Sequence, residues 1–292
     1  MDIVNEIKAS FKQGSYLTQL IYINIAVFVL VNLITVFFFL VGESIYDSPI
    51  ISLFAIPADI SELIWKPWTI ITYMFLHEAF LHLLFNMLWL YWFGKIFLQY
   101  LDQKQLLSVY LMGGISGALF FLGAYNIFPV LESQYAIALG ASASVMAVVF
   151  AISFYVPDYQ LPLMFIGNVK LKYIAIFSIV LDVISIPAGN AGGHIAHIGG
   201  ALFGWYFITE YKKGKLITKG FDRFLEKVFT LFAKGPKMKV SYKKTGNPDY
   251  DYKNKKASQQ KEMDIILEKI SKSGYASLTK EEKELLFKMG KN

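Results

Sequence analysis

The chain has 292 residues, 55% apolar, 16% aromatic and only 17% charged, against about 25% charged in an ordinary soluble domain. That balance points to a membrane protein, and the absence of cysteine excludes disulfides, thiolate metal sites and a cysteine nucleophile. The net charge of +6 is split: residues 1–211 hold 7 Lys+Arg against 12 Asp+Glu, a balance of −5, and residues 212–292 hold 21 against 10, a balance of +11.

A membrane body with a basic tail is the reading this split supports. Acids are interspersed through the tail and no nucleic-acid motif occurs in it, so nucleic acid is not an expected partner. A helix crossing the hydrocarbon core needs about 20 apolar residues. Thr18–Val41 meets this outright and is too long and uncharged for a cleavable signal peptide. Leu81–Leu101, Gln105–Ile127, Leu139–Tyr155, Leu171–Ile186 and His194–Ile208 follow, the last three short. The expected fold is all-α: a polytopic six-helix membrane bundle over residues 1–211.

The positive-inside rule orients it. With the N-terminus in the cytoplasm, Lys8, Lys12, Lys95, Lys104, Lys170, Lys172 and the tail fall inside. Lys66 falls outside, in a long first loop with Glu43, Asp47, Asp59 and Glu62. Both termini are then cytoplasmic. In the tail, apolar residues from Phe221 to Phe232 recur at helical spacing, which predicts an amphipathic helix on the inner membrane face within residues 212–234. Residues 235–260 read as a linker. Residues 261–292 read as a two-helix appendage: Met263, Ile266, Leu267 and Ile270 share a face that ends near Gly274, and Thr279–Glu282 fits a capping box. About 30 residues cannot bury a stable core alone, so a protein partner is expected for the appendage.

Ionisable side chains inside a membrane are costly and mark functional sites. The four histidines, His77, His82, His194 and His197, all lie at the outer ends of spans two and six, and the tail has none. His82 and Asn86 share one helical face. Ser142, in Gly140-Ala141-Ser142-Ala143, opens span four, and His197 opens span six. At about 1.5 Å per residue, Asn86, Ser142 and His197 lie at similar depth. Their chemistry is complementary: a serine hydroxyl needs a base such as histidine to become a nucleophile. A tetrahedral intermediate needs donors, which the Asn86 amide, the His82 ring and the Ser142 backbone N–H can supply. Gly193, His197 and Ala201, and Gly200 with Gly204, give span six the small-residue spacing that lets helices approach closely.

These segments resemble the rhomboid family of intramembrane serine proteases. The likeness covers roughly residues 15–210. It rests on His82-x-x-x-Asn86, Gly140–Ala143 and Ala196–Gly200 in that order, with Pro67-Trp68 in the first loop. The resemblance implies a Ser–His dyad without a catalytic acid, Ser142 as nucleophile and His197 as base, and His82 and Asn86 as oxyanion-hole residues. His77, His194 and Gly140 take supporting roles. It also implies single-span membrane proteins as substrates, cleaved near the outer membrane face in the bilayer without metal or cofactor. The tail looks like that of some bacterial rhomboids, which implies the bacterial cytoplasmic membrane. Three positions depart from the family pattern: Ala143 for glycine, Thr69 for arginine, and Met146 where an aromatic residue stacks on the histidine.

Other readings of the same residues give different roles. Ser116, near the middle of span three, is a rival nucleophile or a packing residue, and packing is the expectation. Ser144 faces away from Ser142. Asp182 on span five is either a third catalytic member or a polar N–H partner within the bundle, and the latter is the expectation. Glu78 reads as a solvated residue at a span entrance. A non-catalytic rhomboid-like protein that binds and escorts membrane proteins is the alternative function. Haem held by two histidines is a further one. A zinc site is disfavoured because the carboxylates look poorly placed to complete it.

Overall fold

The computed structural model describes residues 3–41, 49–132, 135–163, 166–232 and 264–289. They are mostly helical and form two compact units, Met1–Ala233 and Lys234–Asn292.

The first unit begins with α1 (Ile3–Gln13), whose Ile3, Val4 and Ile7 are exposed. The Ser15 hydroxyl caps α2 (Tyr16–Leu40) by accepting from the Thr18 N–H. This helix is apolar on every side yet buries only Leu17, Leu20 and Asn24, leaving Leu30, Leu33, Phe37 and Leu40 bare. A helix apolar all round and so little covered by protein belongs in hydrocarbon. The loop that follows carries α3 (Pro49–Phe54), strand β1 (Ile56–Pro57), α4 (Ile60–Trp65), α5 (Thr69–Thr72) and a 3₁₀ turn at Tyr73–Phe75.

Helix α6 (Phe80–Tyr100) leads to α7 (Gln103–Ile127), which starts in a capping box between Asp102 and Gln105. After α8 (Pro129–Glu132), strand β2 (Ile137–Ala138) pairs antiparallel with β1, Ile56 opposite Ala138 and Pro57 opposite Ile137. Then come α9 (Ser142–Tyr155) and an antiparallel hairpin of β3 (Gln160–Leu163) and β4 (Gly167–Lys170). Helix α10 (Leu171–Ser185) continues as a 3₁₀ turn to Ala188, and α11 (Ala191–Lys212) and α12 (Lys219–Phe232) complete the unit. Among the described residues, four helical segments are long and apolar enough to cross a membrane: Tyr16–Leu40, Phe80–Tyr100, Gln103–Ile127 and Leu171–Ala188. This is a membrane protein.

Helix α9 is shorter than that, at 14 residues, and protein surrounds it. Every residue from Ala143 to Ser153 is buried. It also starts three residues later than the apolar run beginning at Leu139 predicts. Strand pairing holds residues 137–138 extended, and Gly140 takes φ +134, a conformation that admits little but glycine. Helix α11 runs beyond its expected span at both ends; it starts earlier because Asn190 caps it by accepting from the Gly193 N–H.

Small residues set how closely the central helices pack. A methyl added to Gly200 would lie 2.0 Å from the Ala143 carbonyl oxygen, and one on Gly204 would lie 2.1 Å from that of Ala147. Helices α9 and α11 therefore touch backbone to backbone, as the glycine spacing predicts. The Ser116 hydroxyl on α7 donates to the Gly199 carbonyl at 2.8 Å, which is the expected packing role. Ser144 is fully buried beside Met74.

At the end of the bundle away from the first loop, Asp158 pairs with Lys170 at 2.9 Å and with Lys172 at 3.0 Å across the β3–β4 hairpin. Helix α12 docks on α7 through a hydrogen bond from Ser108 to Asp222 and a Lys104–Glu226 pair at 2.7 Å, while Phe224 and Phe229 remain exposed. This is the amphipathic tail helix.

The second unit holds α13, residues 264–273, and α14 (Lys280–Met289). Ile266 and Leu278 are buried in it, and Lys269 bonds both carboxylate oxygens of Glu282, at 2.8 and 2.9 Å. The capping box forms: the Thr279 N–H donates to Glu282 at 2.7 Å and the Glu282 N–H donates to the Thr279 hydroxyl at 3.3 Å. The expected linker, 235–260, and Met263 lie outside the described residues.

Candidate active site

Three helix starts and the second half of α10 enclose one cavity of about 1060 Å³. Its wall includes His82 and Asn86 from α6, Ser142 and Met146 from α9, Asp182 from α10, and His197 from α11. The site residues predicted at matching depth on separate spans thus meet at one end of the bundle.

The first loop fixes the segment that carries Ser142. Strand β1 holds β2, the Ala58 N–H donates to the Ala136 carbonyl at 2.9 Å, and the Gly140 N–H donates to the Tyr73 carbonyl at 2.9 Å. Tyr73 is anchored in turn, its hydroxyl donating to the Gly114 carbonyl of α7 at 2.6 Å. Gly140 faces the site directly: a methyl there would lie 3.0 Å from Nε2 of His82 and 3.5 Å from Oγ of Ser142. Glycine at 140 serves both the positive φ and the space between these two groups.

Ser142 is the first residue of α9, and Ala141 before it offers no side-chain cap. The first intrahelical bond of the turn runs from the Val145 N–H to the Ala141 carbonyl, so the amides ahead of it have no helical acceptor. A helix N-terminus concentrates positive potential where these amides point. It is a ready donor set for an oxyanion.

On α6, one N–H of the Asn86 amide donates to the His82 carbonyl at 2.8 Å, and a primary amide has a second. His77 is buried just ahead of α6 with its ring edge-on to His82, centroids 5.1 Å apart. It buttresses that ring. Burial pushes His77 down from the usual 6.5 to about 4, with His82 adding to the effect and the Phe75 carbonyl opposing it. Glu78 is exposed, as expected, and stands in the cavity wall.

Asp182 makes the contact with most chemical consequence. Its Oδ1 lies 2.8 Å from Nδ1 of His197 and 2.8 Å from Nδ1 of His194. The two rings are three residues apart on α11, and the carboxylate reaches them from α10. This is the N–H partner expected of Asp182, although nothing in the sequence tied it to these two rings. Because Asp182 accepts at Nδ1, each neutral ring carries its proton there and leaves Nε2 basic. The expectation that the carboxylates are poorly placed beside the histidines is corrected by the same contact. Sequence distance hides it, since Asp182 and His197 sit on different helices joined by the tight Ile186–Asn190 connection.

The rhomboid domain family matches residues 65–212. The chain belongs to the rhomboid family. It is 32% identical over 158 residues to the human presenilin-associated rhomboid-like protein, mitochondrial, covering 51% of this chain and 38% of that protein. It is equally 32% identical over 158 residues to RHOMBOID-like protein 12, mitochondrial, of Arabidopsis thaliana, covering 50% and 47%. The match to a zebrafish (Danio rerio) relative, presenilin-associated rhomboid-like protein A, is 30% over 141 residues, 45% of this chain and 34% of that one. The chain therefore spans less than half the length of these relatives. Residues 248–292 match a family of unknown function (DUF6576).

Proposed function

We propose that this rhomboid is an intramembrane serine endopeptidase that cleaves single-span membrane proteins near the outer face of the bilayer. The observation that carries this reading is the convergence of Ser142, His197, His82 and Asn86 on one cavity, with the Asp182 carboxylate against Nδ1 of His197.

In the reaction, Nε2 of His197 accepts the Ser142 hydroxyl proton as Oγ attacks the scissile carbonyl carbon. The oxyanion is met by the unspent amides at the start of α9, the second N–H of Asn86 and the His82 ring. His197, now an imidazolium, keeps its Nδ1–H on Asp182. It then gives its Nε2 proton to the leaving amine, and a water activated by the same nitrogen releases the acyl group from Ser142. Asp182 positions the base and balances its transient charge, so the N–H partner also takes the place of a third member beside the dyad, the less expected of the two readings of this residue.

Water reaches this chemistry from the end of the bundle that carries the first loop. We assign that end to the outer face. Lys170, Lys172 and Lys212 lie at the other end, as the positive-inside rule requires. In this topology α9 and α11 join the four longer helices as spans, giving six, with both termini in the cytoplasm. The bacterial cytoplasmic membrane is the proposed compartment, although the matched relatives bear mitochondrial names. Fractionation of the source cells settles which membrane applies. The appendage at residues 261–292 is assigned to a protein partner.

Proteoliposomes holding the purified chain and a single-span reporter test the activity. Wild type and Ser116→Ala cleave the reporter, and Ser142→Ala and His197→Ala leave it intact. A folded wild type that binds single-span proteins without cutting any of them would replace the protease with an escort.

A further inference from the structure

The cluster on Asp182 has a second chemical capacity. Asp182 Oδ1, His194 Nδ1 and His197 Nδ1 offer one donor atom each, and all three lie within 4.8 Å of one another. Two imidazoles and a carboxylate are the donor set of a three-ligand zinc site with an open fourth position. Bonds of about 2.0–2.1 Å in a tetrahedron put donors about 3.3 Å apart, so each ring needs to move by less than about 1 Å. The rings sit on one face of a rigid helix, and their side chains keep about a fifth of their surface exposed (21% and 22%). An ion can therefore reach them. Among the described residues, the cavity wall beside them contains two carboxylates, Glu78 and Asp182, and no lysine or arginine.

We infer that Asp182, His194 and His197 form an inhibitory site for zinc or a similar late first-row divalent cation. The inference rests on His197 being the base. The tautomer makes the two states exclusive. As base, His197 holds its proton on Nδ1, donates it to Asp182, and accepts the Ser142 proton at Nε2. As a metal ligand, it gives the Nδ1 lone pair to the ion and its single ring proton moves to Nε2. That nitrogen then has no lone pair for Ser142. No net proton is released, and removing the metal restores the base. His194, which the peptide-bond chemistry does not use, supplies the second ring nitrogen that makes the site bind.

Equilibrium dialysis of the tag-free full chain in detergent against zinc alone, followed by elemental analysis, measures binding without reference to activity. Fluorophosphonate labelling of the same samples, with and without zinc and then with chelator, measures the base. The expected result is one zinc per chain, weakened at least about tenfold by His194→Gln and by Asp182→Asn. Zinc suppresses wild-type labelling, chelator restores it, and His194→Gln needs at least about tenfold more zinc for the same suppression. Absence of bound zinc, binding equal in wild type and both variants, or labelling that persists in the zinc-loaded protein would each overturn the inference. A wild type that never labels but binds zinc in this variant-dependent way removes the protease reading and leaves the metal site standing.

Discussion

Replacing Asp182 with asparagine isolates what the carboxylate does for His197. The substitution keeps the shape, and the asparagine carbonyl can still accept from Nδ1 at the 2.8 Å separation seen for the carboxylate. What is lost is the negative charge facing the imidazolium that forms during attack and leaves during collapse. A hydrogen bond to a charged group contributes about 1.5–3 kcal/mol. The neutral bond that remains is still worth about 0.5–1.5 kcal/mol, so about 1–1.5 kcal/mol is lost and, at about 1.36 kcal/mol per factor of ten, kcat should fall about 5- to 13-fold. The fall belongs in kcat, since the charge matters only once His197 has taken the proton. Reporter cleavage in proteoliposomes over a range of reporter densities separates kcat from KM, and thermal unfolding in detergent confirms that the variant is folded. A kcat within twofold of wild type would refute the positioning role and restore a two-member mechanism. A loss confined to KM would place Asp182 among groups that only shape the cavity.

Gly200→Ala forces a methyl to within 2.0 Å of the Ala143 carbonyl oxygen. Overpacking of this kind costs about 1–3 kcal/mol, so the unfolding temperature should drop and Ser142 labelling should fall with it. Ser116→Ala removes one interhelical hydrogen bond to Gly199; stability should fall by about 0.5–1.5 kcal/mol, with labelling retained. His77, held near 4 when folded against 6.5 when free, takes up its proton more readily in the unfolded chain. Its stabilisation is full above about pH 6.5 and is lost as pH falls from there to about 4. The unfolding temperature of His77→Leu should lack that acid-dependent decline.

The sequence made the site legible because a membrane penalises polar groups so heavily. Four histidines gathered at two helix starts could only be there for a reason, and Ser142 and Asn86 at matching depth completed the set. Periodicity located the helix interiors well for the same reason: long apolar runs such as Tyr16–Leu40 have one physical reading. Helix ends were less legible. Leu139 looks like the start of a span, yet strand pairing with Ile56–Pro57 and the φ of Gly140 delay the helix until Ser142. Neither cause is local. Asp182 was visible as a polar residue in an apolar run, but which rings it meets depends on how α10 packs against α11. The same packing hid the metal-ligating geometry, which a linear reading of scattered carboxylates dismisses. Gly140 was legible as part of a motif, whereas its tie to Tyr73 and its place between His82 and Ser142 needed the fold.

The central claim is that Ser142 is the nucleophile and His197 its base. Intact-mass measurement of the purified chain after exposure to a fluorophosphonate, with the modified residue located by peptide mapping, tests it most directly. One adduct per chain is expected, on Ser142, abolished in Ser142→Ala and in His197→Ala and retained in Ser116→Ala. An adduct on any other serine, or a folded wild type that takes up none, would contradict it.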